Sequence, residues 1–513
     1  MLSVLFSGAL QGIEAVPVTV EVDIAFGLPG FSLVGLPDSA IKEARERVFS
    51  ALKNAGYEVP SRRVTINLAP ADLRKEGSAL DLPMALGILA ASGQIEPGLL
   101  AGTMVLGELA LDGGLRPARG ILSMVRAARR QGLHSVLLPA ANAREAALVP
   151  GVRLLPADTL ARALEALRTG VGVEVPEDDD SGAPDPDFEP DYAEIKGQAQ
   201  AKRALEVAAA GGHNFLMAGS PGCGKTLMAR RLPTILPPLS DEEGLEATRI
   251  YSVAGLLRPG HGILRRRPFR APHHSISDQA LVGGGKIPRP GEVSLAHLGV
   301  LFLDELPEFR KSTLETLRQP LEDGHVTIAR TAHTVTYPSR CLLGAAMNPC
   351  FCGHLLDPLG RCTCRPEMLQ RYRARLSGPL LDRIDLHLEV PSLGVDEVIA
   401  DKWEEGSAAI RERVLRARAV QRERFRNHAG VHCNAHMATR EIRRYCALSS
   451  SCALLLKGAV ESLGLSARAF DRILKVARTA ADLDGVDSIA DRHIAEAIHY
   501  RSLDRKVEIG VAG

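Results

Sequence analysis

The sequence lacks three features that would each define a class of protein. No segment of the 513 residues approaches the roughly 20 consecutive apolar residues that a transmembrane helix needs, so no membrane partner is expected. The apolar N-terminal segment has no basic region before it and soon reaches Glu14, which argues against a signal peptide. Nine cysteines in a chain of this length do not form a disulfide framework. We therefore expect a cytoplasmic protein of roughly two to four domains.

An excess of charge is also lacking, because 62 Lys and Arg residues balance 61 Asp and Glu residues. Bulk charge therefore identifies no partner, and any binding of nucleic acid must come from local patches. The sequence has no internal repeat, and its one biased segment, residues 171–191, combines acidic residues with prolines. Because like charges repel and proline blocks regular pairing, we predict a solvated linker there.

The most informative segment present is the glycine-rich run GSPGCGKT at residues 219–226. It follows the apolar residues 215–218 and precedes a helix-forming segment, and a GxxxxGK[ST] motif between a strand and a helix is typical of a phosphate-binding loop. Backbone N–H groups and the helix N-terminus would bind phosphate oxygens, with Lys225 on the β- and γ-phosphates and the Thr226 hydroxyl on Mg²⁺. We predict that ATP binds to Gly219, Ser220, Pro221, Gly222, Cys223, Gly224, Lys225 and Thr226.

Polar residues follow two later apolar strands. Asp304 and Glu305 come after the apolar residues 299–303, so Asp304 would share the Mg²⁺ with Thr226 while Glu305 polarises the attacking water. Asn348 ends another apolar run, where it would orient the water or sense the γ-phosphate; the alternative is that it only forms a turn. The sequence therefore predicts a nucleoside triphosphatase.

Two arginines are candidates for contacts with the γ-phosphate. Arg383 could reach the nucleotide of a neighbouring subunit and stabilise transition-state charge, or it could instead pair with Asp382 or Asp385. Arg468 opens a predicted helix from which it could reach the nucleotide from above, or it could be a surface charge.

These motifs resemble the AAA+ ATPases of the magnesium-chelatase-like clade and, within it, the ComM (YifB) subfamily of competence proteins. The resemblance covers nearly the whole chain, and its motifs are specific. Besides the segments above, the matching stretches are residues 195–198, 268–275, 281–285 and 290–297. By this resemblance Asn348 is sensor 1, Arg383 the arginine finger and Arg468 sensor 2, with Arg472 a less suited candidate.

The resemblance implies an α/β fold in several parts. The expected parts are a Lon-protease-like, S5-like α/β domain (1–170), the acidic linker (171–191), an AAA+ P-loop parallel-sheet core (192–392) and a C-terminal helical lid (393–513). The core should carry an insert in helix 2, within 268–290, and a hairpin before sensor 1, at 326–337. In the N-terminal domain the protease nucleophile aligns with Ala79, one place from Ser78, and no lysine lies near 121–124. Without a base to activate a hydroxyl, this domain should be non-proteolytic.

In hexameric relatives, such hairpins point into a central pore. Basic residues of the insert and the hairpin could there grip DNA phosphates without regard to sequence, although each could equally be a solvated surface charge. The candidates are Arg265, Arg266, Arg267, Arg270, Lys286, Arg289, Arg330 and His333. An Arg-rich lid helix around residues 410–425 is either a solvated face or a contact with DNA or another subunit.

A set of cysteines follows the predicted sensor. Cys350, Cys352, Cys362 and Cys364 form a CxC…CxC pattern that could hold Zn²⁺ tetrahedrally, with His354 able to replace one ligand. Reduced free thiols and a redox disulfide are the alternatives.

The resemblance implies a hexameric, ATP-dependent DNA motor or helicase. It would promote branch migration while incoming DNA is recombined during natural transformation, with single-stranded and branched DNA as partners and recombination proteins as candidate partners. A chelatase-like metal-insertion ATPase would instead need a partner with a metal-site integrin-like domain. A protein-remodelling or proteolytic ATPase would need an intact Ser/Lys dyad. A DNA-binding regulator that uses ATP only for assembly is a further alternative, since this clade serves unrelated tasks.

Overall fold

The computed structural model describes residues 2–75, 77–174, 190–258, 262–285, 288–329, 334–355, 360–392, 404–428 and 430–501. It confirms the α/β fold class, with a parallel-sheet core and a C-terminal group of helices. Most of the predicted linker and the first residues of the predicted lid lie outside the described ranges, so the domain boundaries stay predictions. In the described part of the chain, no helix is both long and apolar enough to cross a membrane.

The N-terminal region contains a seven-stranded mixed sheet in the order β3-β4-β2-β1-β5-β8-β9. Helix α2 is buried along its whole length, and Asp38 caps α1 by accepting a hydrogen bond from the Ile41 N–H at 2.8 Å, as its position before the helix predicts. The elements are β1 (Leu2–Gln11), β2 (Glu14–Ala25), β3 (Gly30–Val34), α1 (Ser39–Asn54), β4 (Arg63–Ala69), α2 (Asp81–Ala91), β5 (Thr103–Val105), β6 (Glu108–Leu109), β7 (Leu115–Arg116), α3 (Ile121–Arg130), β8 (Ser135–Pro139), α4 (Ala143–Ala147), β9 (Arg153–Ala157) and α5 (Leu160–Thr169).

The central region contains a five-stranded parallel sheet in the order β11-β14-β17-β10-β18. Strands β10, β14 and β17 are fully apolar and buried, as expected for the centre of a parallel sheet covered on both faces. The elements are α6 (Ala199–Gly211), β10 (Phe215–Gly219), α7 (Lys225–Ile235), α8 (Asp241–Ala254), β11 (Phe269–Arg270), α9 (Asp278–Val282), β12 (Gly283–Gly284), β13 (Arg289–Pro290), α10 (Glu292–Leu295), β14 (Val300–Leu303), α11 (Lys311–Glu315), α12 (Arg318–Asp323), β15 (His325–Ala329), β16 (Thr334–Pro338), β17 (Leu342–Met347), α13 (Pro366–Arg373), α14 (Gly378–Leu381) and β18 (Leu386–Val390).

The C-terminal helices pack against the core through arginines of the Arg-rich helix. Arg413 bonds to Glu206 of α6 at 2.5 Å, Arg418 donates to the Ala209 carbonyl at 2.9 Å, and Arg424 forms an ion pair with the buried Asp482. Arg413 and Arg418 therefore tie the lid to the core, whereas Arg424 joins two helices within the lid. The helices are α15 (Ser407–Phe425), α16 (Thr439–Tyr445), α17 (Ser450–Leu463), α18 (Ala467–Leu483) and α19 (Asp491–His499).

The N-terminal region docks on the core at two places. In the first, Arg249 of α8 pairs with Glu14, and the Gly120 N–H donates to the Ser252 carbonyl at 3.1 Å. In the second, the β1–β2 turn lies against the β15–β16 hairpin, where Ile13 packs on the apolar side of the hairpin. The N-terminal region and the core are thus connected by direct contacts as well as by the polypeptide chain.

Candidate functional site

The sequence-predicted phosphate site lies at one edge of the parallel sheet. Strands β14, β17 and β10 are neighbours, and their carboxyl ends lead into Asp304, Asn348 and the loop 220–224. Because carboxyl ends of parallel strands share an edge, residues more than a hundred positions apart in the chain meet there. This edge is where ligands bind in open α/β sheets.

The glycine-rich loop has a backbone that requires its glycines. Gly222 and Gly224 adopt φ of 80° and 92°, and a Cβ added to either would project into open space. Helix α7 begins at Lys225, whose buried Nζ donates to the carbonyls of Gly219 and Ser220 at 2.7 and 3.0 Å. A left-handed glycine backbone that ends at a helix N-terminus fits a bound phosphate chain.

A hydroxyl and a carboxylate lie side by side next to this loop. The Thr226 hydroxyl donates to Asp304 Oδ2 at 2.6 Å, so the first turn of α7 and the end of β14 are in direct contact. A hydroxyl and a carboxylate are ligands that Mg²⁺ accepts in combination with phosphate oxygens and water. The residues present therefore fit the divalent ion that the loop chemistry requires.

The Asn348 side chain points toward the same loop. Its Oδ1 lies 3.5 Å from Lys225 Nζ, and its strand separates β10 from β14. The sequence-based expectation that a polar group would lie between the loop and the acidic strand agrees with this position, although the role of Asn348 stays a prediction.

Glu305 contacts a histidine that sequence reasoning did not single out. Glu305 has a left-handed backbone (φ 53°), its side chain is 58% exposed, and its Oε2 lies 3.2 Å from Nδ1 of His274. His274 follows β11, the neighbour of β14, so the order of the strands creates the contact. The separation of 31 positions between His274 and Glu305 does not reveal this contact in the sequence. The only available sign was that His274 follows a strand.

Arg383 lies at the opposite edge of the sheet. It precedes β18, and its carbonyl accepts from Nδ2 of Asn214, the residue before β10, at 3.0 Å. The five residues of β10 place at least about 13 Å between this edge and the loop of the same chain, more than an arginine side chain spans. Arg383 is 9% exposed and pairs with Glu322, not with Asp382 or Asp385 as the sequence suggested.

The lid helix α18 runs along this same edge. Thr479 Oγ1 lies 2.8 Å from Nε2 of His213, and Arg472 pairs with Asp385, so Arg472 is occupied within the chain. Arg468 is exposed and lies one helical turn before Arg472. The proposed contact of Arg468 with the nucleotide therefore stays a prediction.

The Asp385 carboxylate is the buried centre of this edge. Burial alone would raise its pKa, but the charge of Arg472 and the hydrogen bond with His213 outweigh that effect and hold the pKa well below its usual range. Oδ2 also accepts from the Asn214 N–H at 3.1 Å. The carboxylate thus joins the lid, the start of β10 and the start of β18.

We expect Asp385→Ala to destabilise the fold by about 3–5 kcal/mol at neutral pH, because it leaves Arg472 buried without its partner. Since the pKa is lower in the folded state, the stabilisation is present above the unfolded pKa of about 3.9 and is lost as the pH falls below it. Urea unfolding at pH 7 and at a pH clearly below about 3.9 measures this, with Asp382→Ala as the matched control. Equal midpoints for the two variants at pH 7 would contradict it.

The candidate DNA contacts divide into three groups. Arg267 is buried and donates to the Pro237 and Leu298 carbonyls and to Glu243, and Arg270 forms a two-pronged pair with Glu292 at 2.6 and 2.7 Å. These two arginines are used inside the fold and do not suit a DNA contact. Exposed positions are Arg265, Arg266 and Arg289, while Lys286, Arg330 and His333 lie outside the described residues.

The four cysteines come together in space. Their sulfurs all lie within 4.8 Å of one another, with 3.3 Å between Cys350 and Cys352, 3.7 Å between Cys350 and Cys362, and 3.6 Å between Cys352 and Cys362. The N–H groups of His354 and Thr363 donate to Cys352 and lower the pKa of its thiol to about 6. None of the cysteines is in a disulfide.

Ser78 is paired with an acidic residue. Its hydroxyl donates to the Glu108 carboxylate, and the start of α3 at 121–124 is buried, with Ser123 donating to the Ile13 carbonyl at 2.6 Å. That the N-terminal region is non-proteolytic stays a prediction.

Comparisons with known proteins cover nearly the whole chain. The families described as "Subunit ChlI of Mg-chelatase", "Magnesium chelatase, subunit ChlI" and "Magnesium chelatase, subunit ChlI C-terminal" match residues 20–142, 191–398 and 404–501. YifB of Escherichia coli strain K12 is 46% identical over 506 residues, 98% of each chain. Competence protein ComM of Haemophilus influenzae is 45% identical over 513 residues, 99% of each chain. A 38 kDa magnesium-chelatase subunit of Cereibacter sphaeroides is 24% identical over 253 residues, 45% of this chain and 72% of that protein.

Proposed function

Because this chain belongs to the magnesium-chelatase-like AAA+ family, in the subfamily of YifB and ComM, we propose that it is a hexameric ATP-driven DNA motor. The family implies the use of ATP and Mg²⁺. The observation that carries the ATPase part is the meeting of Lys225, Thr226, Asp304, Glu305 and Asn348 at the ends of three neighbouring parallel strands.

Each of these residues has a role that its position supports. Lys225 would leave the carbonyls of its loop to bind the β- and γ-phosphates. Thr226 and Asp304 would hold the Mg²⁺, whose charge would neutralise charge on the transferred phosphoryl group. Glu305 polarises the attacking water after it separates from His274, and Asn348 orients that water.

Assembly into a ring is supported by the position of Arg383. Arg383 lies at the edge opposite the phosphate loop, so it does not reach the nucleotide of its own chain. In a head-to-tail ring, the arginine edge of one subunit faces the loop edge of the next, which gives a heterologous interface that closes on itself. We infer that Arg383 is supplied to the neighbouring site once it is released from Glu322.

The DNA part is supported by the antiparallel hairpin β15–β16, which lies between α12 and the strand that ends in Asn348. Movement of that strand with the state of the nucleotide would be passed directly to the hairpin. The name of ComM connects a relative of 45% identity with competence, so we propose branch migration during recombination of incoming DNA as the task. Single-stranded and branched DNA are the proposed substrates.

The test measures ATP hydrolysis by the full chain without DNA and with single-stranded, duplex or branched DNA, together with displacement of a labelled strand. We expect stimulation by single-stranded and branched DNA, loss of both activities in Glu305→Gln, and binding that weakens steeply between about 50 and 200 mM salt. Hydrolysis that is indifferent to every DNA would overturn the DNA motor and leave the ATPase.

The match to a magnesium-chelatase subunit favours a second candidate, a metal-insertion ATPase. That candidate predicts hydrolysis that depends on a protein partner rather than on DNA. The same assay separates the two, since DNA-independent turnover that a co-purified partner stimulates would favour the chelatase-like task.

A further inference from the structure

We propose that Cys350, Cys352, Cys362 and Cys364 bind one Zn²⁺ and that this zinc centre braces the ATP site. In the described part of the chain, these four residues form the one group of Cys, His, Asp and Glu side chains close enough to share an ion.

The sulfur spacing fits a single tetrahedral ion. Zn–S bonds of about 2.3 Å in a tetrahedron separate the sulfurs by about 3.8 Å. The measured separations of 3.3, 3.6 and 3.7 Å, with all four sulfurs within 4.8 Å, agree with that value. No disulfide joins any of the four cysteines, so the geometry favours the metal over the disulfide alternative.

Backbone N–H groups point toward the cluster. Those of His354 and Thr363 both donate to Cys352 Sγ. Four thiolates with backbone donors suit a closed structural zinc site, in which no position is open to substrate.

The cluster is connected to three parts of the ATP site. Cys350 lies two residues after Asn348, and Gly353 touches the phosphate loop so closely that a Cβ there would lie 2.6 Å from Pro221 Cδ. Phe351 packs on Tyr372 with ring centroids 4.8 Å apart.

The third connection runs through Arg375. Its guanidinium lies 5.0 Å from the centre of the Phe351 ring and pairs at 2.7 Å with Glu308, three residues after Glu305. The CxC segment thus contacts or adjoins the sensor, the phosphate loop and the turn after the acidic strand. Fixing that segment with a metal fixes their relative positions.

The first experiment measures metal content in the full chain, expressed with added zinc and purified without a metal-affinity tag. We expect about one zinc per chain by elemental analysis, loss of most of it in Cys352→Ala and Cys364→Ala, and retention in the control Cys341→Ala. Since these variants could fail to fold, Co²⁺ is exchanged into the wild-type chain, where four thiolates give the absorption of tetrahedral cobalt thiolate.

Several results would overturn the proposal. These are a wild-type chain with little zinc and no cobalt–thiolate absorption, a chain that holds iron instead, or equal zinc in Cys341→Ala and Cys352→Ala. The bracing role rests on the proposed ATPase function, whereas zinc binding does not. Zinc binding and the bracing role can therefore be disproved independently of each other. We expect removal of zinc to lower ATP turnover by up to about 10²-fold, as displaced catalytic groups do. Unchanged turnover in zinc-free folded protein would overturn the bracing role alone.

Discussion

Replacing Glu305 with Gln is expected to lower kcat for ATP hydrolysis by about 10²–10⁴-fold while ATP still binds. The amide keeps the size of the side chain but cannot accept a proton from the attacking water. The substitution leaves Lys225, the proposed phosphate ligand, and Thr226 and Asp304, the proposed Mg²⁺ ligands, untouched, so the KM for ATP should change little. Steady-state hydrolysis together with equilibrium binding of a fluorescent ATP analogue separates these two effects.

The matched control for this variant is Glu315→Gln. Glu315 lies on α11, is partly exposed and pairs with Arg318 at 3.0 Å on the surface. It should hydrolyse ATP at the wild-type rate, because surface pairs of this kind contribute little. If Glu305→Gln kept more than about a tenth of the wild-type kcat, Glu305 would not be the general base.

Replacing Arg383 with Ala is expected to lower kcat by about 10³–10⁵-fold, the range for arginine fingers in other phosphoryl-transfer enzymes. Because Arg383 lies at the edge opposite the phosphate loop, two inactive variants should complement each other. Arg383→Ala and Lys225→Ala should each be inactive alone but should recover activity when mixed. In a randomly mixed ring, roughly a quarter of the interfaces combine an intact loop with an intact arginine.

Arg318→Ala serves as the control for this experiment, because Arg318 is a partly exposed surface arginine outside the site. Co-purification of differently tagged subunits verifies that mixed rings form. Mixed rings without recovered activity would contradict a shared site. Because Arg383 also pairs with Glu322, the thermal unfolding of Arg383→Ala must be compared with that of the wild type to exclude a general loss of fold.

The strands around the motifs could be predicted from the sequence because each is a short apolar run that ends in glycine or polar residues. Positions of helix ends were less accurate where glycine intervenes. Helix α6, for example, begins at Ala199, because Gly197 and Gln198 both have a left-handed backbone with φ of 56°. The AAA+ core and the helical lid were predicted from family resemblance, and the family assignment is confirmed.

Partners of the charged residues could not be predicted, because strand order decides them. The sequence presents Arg267 and Arg270 simply as basic residues of an insert, whereas the fold gives them Glu243 and Glu292. The partner of Arg383 is Glu322, 61 residues away, rather than a neighbour in the motif. The spacing of the cysteines left Zn²⁺, reduced thiols and a disulfide open as alternatives. Only the distances between the sulfurs in the fold could narrow this set.

The β1–β2 turn has a mechanical consequence. Gly12 is so close to Val335 of the hairpin that a Cβ there would overlap its side chain, while Glu14, two residues on, is tied to Arg249 of α8. One rigid turn therefore touches two parts of the core that lie far apart in the chain. If the hairpin pulls on a strand of DNA, the opposing force is transmitted through this turn to the N-terminal sheet.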